Sequence, residues 1–175
     1  MQQLRLSGTG GQGLILAGII LAEAALLDGK LAIQSQSYGP EARGGSSKAE
    51  VLISSNPIHY PKVTTPNVVL AMSQEACNKY TKDLKDDGIL ITDKLFVDKL
   101  PEHFKGKVYE LAITHTAKED LGRALVANIV ALGALVKLTG VVSAESLTKA
   151  VLARVPKGTE ALNEKALALG MELIK

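Results

Sequence analysis

The chain opens on a short apolar alternation, Leu4 and Leu6 on either side of Arg5, which breaks off at Ser7-Gly8-Thr9-Gly10-Gly11-Gln12-Gly13. A period of two predicts a strand, and the glycines predict its end. An almost unbroken apolar run then predicts a helix from about Gln12 to Leu27, closed by Asp28-Gly29 as a glycine C-cap. Lys30–Gln34 reads as a second strand and Lys48–Ser54 as another. Between them, Ser35–Ser47 is polar and has neither period; Gly39-Pro40 and Gly44-Gly45 punctuate it, so it reads as a held loop.

Pro57, Pro61 and Pro66 mark an extended connection. Apolar runs at Asn67–Met72, Gly88–Thr92 and Lys107–Ile113 predict buried strands, with a helix from Ser73 to about Leu84 after the first. The remainder is helical in pattern. One helix is expected from about Lys118 to Thr139, capped by Thr116 or a neighbour and ended by Gly140. A second is capped by Ser143 and stopped by Pro156, and a last one, capped by Thr159, runs to the C-terminus. Strands alternating with helices predict an α/β fold. The expectation is a Rossmann-like, mostly parallel sheet with flanking helices and a helical C-terminal part, in a single domain spanning 1–175.

Composition narrows the classes. With 46% hydrophobic and 22% charged residues the chain is ordinary for a globular protein, and without Trp its core must be built from Leu, Ile, Val and Ala. A net charge of +2 with no basic block argues against a nucleic-acid partner. The run Leu14–Ala22, with Ala22-Glu23-Ala24 behind it, resembles a signal segment. It is too short to span a bilayer and glycines interrupt its approach, so a buried helix and a cytoplasmic, membrane-free protein are expected. The single Cys77 gives no disulfide framework and cannot hold an iron–sulfur cluster, which takes four thiolates.

The candidate chemistry is that of binding. Gly8, Gly10 and Gly13 stand in G-x-G-x-x-G spacing between a strand and a helix, where backbone N–H groups and the helix dipole favour an anion. A tight packing turn without ligand is the alternative. The second strand ends in Gln34-Ser35-Gln36, without the acid that holds a dinucleotide ribose, and no Lys-Ser/Thr follows the glycines; both NAD and ATP are weakened. Tyr38, Glu41 and Arg43 stand among glycines in Ser37–Gly45. Arg43 suits a carboxylate or phosphate, unless it pairs with Glu41. Ser73-Gln74-Glu75 follows a strand at the edge where open α/β sheets bind ligands, and is equally plain helix-cap chemistry. His59, His103 and His115 lack ligand spacing, Cys77 lacks a base, and no G-x-S-x-G elbow occurs. The 118–139 helix is apolar almost all round, so it is either a central core helix or one that meets another subunit.

Three segments occur in order: Gly8-Thr-Gly-Gly-Gln-Gly13, Gln36-Ser-Tyr-Gly-Pro-Glu-Ala-Arg-Gly-Gly45 and Met72-Ser-Gln-Glu-Ala76. Together they resemble the gamma subunit of the 2-oxoacid:ferredoxin oxidoreductases, and among these the 2-oxoglutarate type most. The likeness covers the chain to about Asp93. It implies a non-catalytic subunit of a complex in which alpha, beta and ferredoxin-like delta subunits are the partners. Those partners bind thiamine diphosphate and the iron–sulfur clusters. The complex converts a 2-oxoacid and coenzyme A to an acyl-CoA and carbon dioxide. It implies further that the surface facing the active site or coenzyme A comprises Gly8, Gly10, Gly11, Gln12, Gly13, Tyr38, Glu41, Arg43, Gly44, Gly45, Ser73 and Gln74. Subunits of pyruvate, branched-chain or indolepyruvate enzymes, a free-standing nucleotide-binding protein and a purely structural scaffold are the competing readings.

Overall fold

The structure, a computed structural model, describes residues 1–38 and 45–175. Six strands form one sheet in the order β2-β3-β1-β4-β5-β6. They are β1 (Gln2–Thr9), β2 (Leu31–Tyr38), β3 (Ser46–Ser54), β4 (Val68–Ala71), β5 (Ile89–Asp93) and β6 (Lys107–Leu111). The pairs β1·β4, β4·β5 and β5·β6 are parallel, while β3 runs antiparallel to both β1 and β2. The sheet is therefore mixed and parallel-dominant, in the α/β class expected.

The polar stretch departs from expectation. β2 runs on through Ser35, Gln36 and Ser37 to Tyr38, and β3 begins at Ser46, in continuous register from Leu31↔Ser54 to Tyr38↔Ser47. A ladder satisfies the backbone whatever the side chains, and an edge strand can face water, so polarity there does not forbid a strand.

Helix α1 (Leu14–Leu27) begins two residues later than the apolar run suggested and crosses β3 to connect β1 with β2. Together with α3 (Ile113–Glu119), α4 (Ala127–Thr139), α5 (Ala144–Arg154) and α6 (Glu160–Glu172) it covers one face. The large core lies there, with Leu4, Leu6, Val51, Leu70 and Ile91 beneath Ile20, Leu21, Val130 and Leu167. Among the described residues the opposite face carries one helix, α2 (Gln74–Tyr80), over a smaller cluster of Val69, Leu90, Cys77 and Val97. α2 stops at Tyr80 rather than near Leu84.

The long C-terminal helix expected from 118 to 139 is two helices. β6 ends at Leu111, not Ile113, and α3 starts at once; Gly122 then adopts φ 68°, and a 3₁₀ turn at Ala124–Val126 leads into α4. That left-handed residue is what a helix cannot contain, and the apolar pattern on both sides of it hid the break. α4 is buried from Ala127 to Val136, so the core alternative holds. It packs so closely on α6 that a Cβ on Gly170 would overlap the Val130 carbonyl, and one on Gly133 that of Leu167. Ser73 and Ser143 cap α2 and α5 as expected, through Ala76 N–H and Ser146 N–H. Thr159 does not cap: its hydroxyl donates to the Pro156 carbonyl instead.

Two polar clusters lock distant elements. Asp28, at the end of α1, accepts from the Ser143 and Ser146 hydroxyls and from Ser143 N–H, which holds its carboxyl below the ordinary range. On the α2 face, buried Arg5 donates to Glu50 (2.8 Å), the Tyr80 carbonyl (2.9 Å) and Asp83. Burial opposes the Asp83 charge, but the Arg5 hydrogen bonds outweigh it and lower its pKa. A carboxylate lowered in the folded state contributes stability above its unfolded pKa, near 4, and loses it as pH falls through the folded value. Melting temperature should therefore drop as pH is lowered below about 4. Asp28→Asn should flatten that slope in thermal scans; a slope identical to wild type would remove Asp28 from the account.

Candidate binding site at the carboxyl edge

The turn after β1 is held by one side chain. Gln12 folds back over Gly8, so that its Oε1 accepts from Thr9 N–H (2.7 Å) and its Nε2 donates to the Met72 carbonyl (3.0 Å). A Cβ on Gly8 would collide with that amide, and with Leu14 at 2.6 Å. Gly13 is the N-cap of α1 in the left-handed region, φ 75°, and a Cβ there would stand 2.6 Å from Asn128 Nδ2, which donates to the Gly13 carbonyl (3.0 Å). These two glycines serve packing. The turn's remaining glycines differ: Gly10 N–H donates to the Gly45 carbonyl (3.1 Å), and Gly11, at φ 89°, meets nothing on its side-chain side.

The motifs that carried the family resemblance therefore converge in part. Gly8–Gly13, Gly45 and the Met72–Ser73 junction meet at the carboxyl ends of β1 and β4. Ser73 is engaged as the α2 cap. Gln74 does not face the turn: its amide is used by Asn78 Oδ1, the Lys99 carbonyl, and the N–H groups of Asp98 and Lys99. Tyr38, 69% exposed, ends the edge strand, with β3 between it and β1. Glu41, Arg43 and Gly44 lie outside the described residues.

Beside the turn is a cleft of about 280 Å³, bounded by Gly11, Gln12, Met72, Phe96, Thr114 and Lys118, and closed by the 3₁₀ turn with Ala124 and Leu125. Its walls are mostly apolar, and among the described residues that line it the one charge is Lys118. Thr114 is positioned by Asp93, which is fully buried and accepts from the Thr114 hydroxyl and N–H (3.2 Å). Among the described residues no side chain caps the first amides of α1, whose positive end is at the turn. A cation and apolar walls can hold an anionic, partly apolar ligand, and among the described lining residues there is no nucleophile–base pair. Cys77 is buried on the other face, where burial pushes its thiol pKa up. Among the described residues no group of three His, Cys, Asp or Glu could hold a metal ion.

Sequence reasoning missed Asn128, Lys118, Thr114 and Phe96. Asn128 left a signal, being the one strongly polar residue in an otherwise apolar stretch from Ala124 to Val136. Lys118 and Thr114 left none, since the break at Gly122 that aims α3 at the cleft was read as helix. The structure also explains the missing ribose acid: β3 stands between β1 and β2, so β2 does not neighbour the glycine turn as in a dinucleotide fold.

Gln12→Ala removes two half-buried hydrogen bonds and should destabilise the chain by about 1–3 kcal/mol, read as a lower urea midpoint. An unchanged midpoint would mean that the turn closes without the amide.

The sequence profile of the pyruvate ferredoxin/flavodoxin oxidoreductase family matches residues 3–173. The 2-oxoglutarate synthase subunit KorC of Methanocaldococcus jannaschii is 51% identical, over 99% of this chain and 94% of that one. Among solved structures, the keto/oxoacid ferredoxin oxidoreductase gamma subunit of Geobacter sulfurreducens superposes with a TM-score of 0.89. It is 54% identical and covers 98% of this chain and 97% of its own. The 2-oxoglutarate:ferredoxin oxidoreductase of Magnetococcus marinus, solved with 2-oxoglutarate, coenzyme A and succinyl-CoA bound, gives a TM-score of 0.87. It shares 25% identity, over 98% of this chain and 30% of that one. Among the described residues no helix is long and apolar enough to cross a membrane. The profile match along almost the whole chain and the 51% identity to a full-length relative show the common origin: the chain belongs to the pyruvate ferredoxin/flavodoxin oxidoreductase family.

Proposed function

We propose that this chain is the gamma subunit of a 2-oxoglutarate:ferredoxin oxidoreductase. The complex converts 2-oxoglutarate, coenzyme A and oxidised ferredoxin to succinyl-CoA, carbon dioxide and reduced ferredoxin. The observation that carries the choice of 2-oxoacid is the 51% identity to a 2-oxoglutarate synthase subunit along nearly the whole of both chains. In this reading the chain acts as one domain. Thiamine diphosphate and the iron–sulfur clusters belong to alpha, beta and delta partners, consistent with a site that binds but lacks catalytic groups.

The cleft beside the glycine turn is the chain's contribution to coenzyme A handling. Lys118 suits the coenzyme's phosphates, and the wall of Met72 and Phe96 suits its apolar parts. Electrons and acyl chemistry stay with the partners; this chain positions and excludes water.

Two measurements on the assembled complex test the reading. Ferredoxin reduction should proceed with 2-oxoglutarate and fail with pyruvate, branched-chain 2-oxoacids and indolepyruvate; a preference for any of these reassigns the substrate. Lys118→Ala should raise the KM for coenzyme A by roughly tenfold or more, as expected when a charged hydrogen bond of about 1.5–3 kcal/mol is lost, with the KM for 2-oxoglutarate unchanged. An unmoved coenzyme A KM would take Lys118 out of that role.

A further inference from the structure

We propose that the α2 face of the sheet carries a second binding site, for a phosphate monoester of a hydroxyl-bearing molecule, in a basic pocket over β2 and β3. The inference stands apart from the choice of 2-oxoacid and from the coenzyme A cleft.

Strand register decides which side chains meet there. Ser35 pairs with Glu50 and Ser37 with Lys48. Directly opposed residues of a ladder project to the same face, so these four make one polar floor. Arg5, which pairs with Glu50 from the other side of β3, belongs to that face too. A wall comes from the 55–67 connection, which Gln3 pins: its Oε1 accepts from Thr64 N–H (2.8 Å) and its own N–H donates to Asn67 Oδ1 (2.9 Å). Pro61 and Lys62 thereby face Ser35, Ser37, Lys48 and Glu50 across a pocket of about 380 Å³. That volume suits a small molecule.

The pocket has an excess of positive charge. Buried Arg5 pairs with Glu50 and Asp83, and Lys48 Nζ donates to the same Glu50 oxygen, Oε1, at 2.8 Å. The Lys48 and Lys79 ammonium groups lie 5.6 and 5.3 Å from the Tyr80 ring centre, and Lys79 donates to the buried Ser46 hydroxyl (3.2 Å). Arg5, Lys48, Lys62 and Lys79 thus outnumber Glu50 and Asp83. Glu50 and the Tyr80 ring hold Lys48 in place, which lowers the ordering cost of binding. An ammonium has three protons to donate, and among the described residues Lys48 uses one.

Two features select the ligand. Lysines meet phosphate as point charges, whereas a planar carboxylate is matched better by an Arg fork, and Arg5 is already occupied. The Ser35 and Ser37 hydroxyls, without partners among the described residues, add donors to phosphate oxygens. Glu50 Oε2 accepts from no described residue, although the Glu50 side chain is only 10% exposed and lines the pocket. A carboxylate oxygen there repels a bare anion and accepts from a hydroxyl, so an ester with free hydroxyls fits and inorganic phosphate does not. Coenzyme A also carries a phosphate monoester, but no residue lines both this pocket and the cleft beside the glycine turn.

Calorimetric titration of the full chain with ribose 5-phosphate tests the site, with inorganic phosphate and ribose as controls. One ribose 5-phosphate should bind per chain, more tightly than inorganic phosphate, and ribose should not bind. Lys48→Ala and Lys62→Ala should each raise the Kd roughly tenfold, the loss of a charged hydrogen bond. Lys62→Ala alters an exposed residue and should keep the wild-type circular dichroism and melting temperature, so loss of folding cannot mimic its effect. Lys118→Ala should leave the Kd unchanged, which separates this site from the coenzyme A reading. In the assembled complex, saturating coenzyme A should not displace the probe. Absent binding, equal affinity for inorganic phosphate, a Kd unmoved by both lysine substitutions, or displacement by coenzyme A would each overturn the proposal.

Discussion

The carboxyl edge of the sheet depends on the Gln12 amide. It accepts from Thr9 N–H and donates to the Met72 carbonyl, so it closes the turn after β1 and fastens that turn to the end of β4. Gly8 must lack a side chain because the amide lies on it, and Leu14 can start α1 only where the turn ends. Asn128 then reaches from α4 to the Gly13 carbonyl and fixes the helix bundle to the same point. The position of the cleft beside Gly11, and of Lys118 within it, follows from this closure.

A glycine-rich turn after the first strand invites a nucleotide reading, and its spacing fits one. What disposes of it is topology. β3 returns antiparallel between β1 and β2, moving the end of β2 a strand further from the turn, and the turn's interior is filled by its own Gln12. What remains among the described residues is a cleft with Lys118 and mostly apolar walls. In the proposed function this surface meets one side of the coenzyme and a partner subunit supplies the rest.

Most strands and helices were legible because their apolar periods are strong and their stops are chemically explicit: Gly140, Pro156, and Ser73 and Ser143 as caps. The misses have physical causes. Ser35–Tyr38 form a strand through backbone pairing that side-chain polarity does not reveal. The break at Gly122 was masked by apolar residues on both sides of it, and with it went Thr114 and Lys118. Two of the glycines are spaces: Gly8 for the nearby Gln12 amide, and Gly13 for Asn128, 115 residues away in sequence and invisible without the fold. Gln74 was drawn to the site by sequence proximity, whereas its amide is consumed by the loop at Asp98 and Lys99. The all-apolar character noted for α4 signalled the core.

The central claim is that this chain completes a 2-oxoglutarate-oxidising complex without performing its chemistry. The direct measurement is coenzyme A-dependent reduction of ferredoxin by the partner subunits, purified with and without this chain, with 2-oxoglutarate as substrate. The account predicts negligible turnover without the chain and recovery when the purified chain is added back. Full turnover in its absence would contradict it.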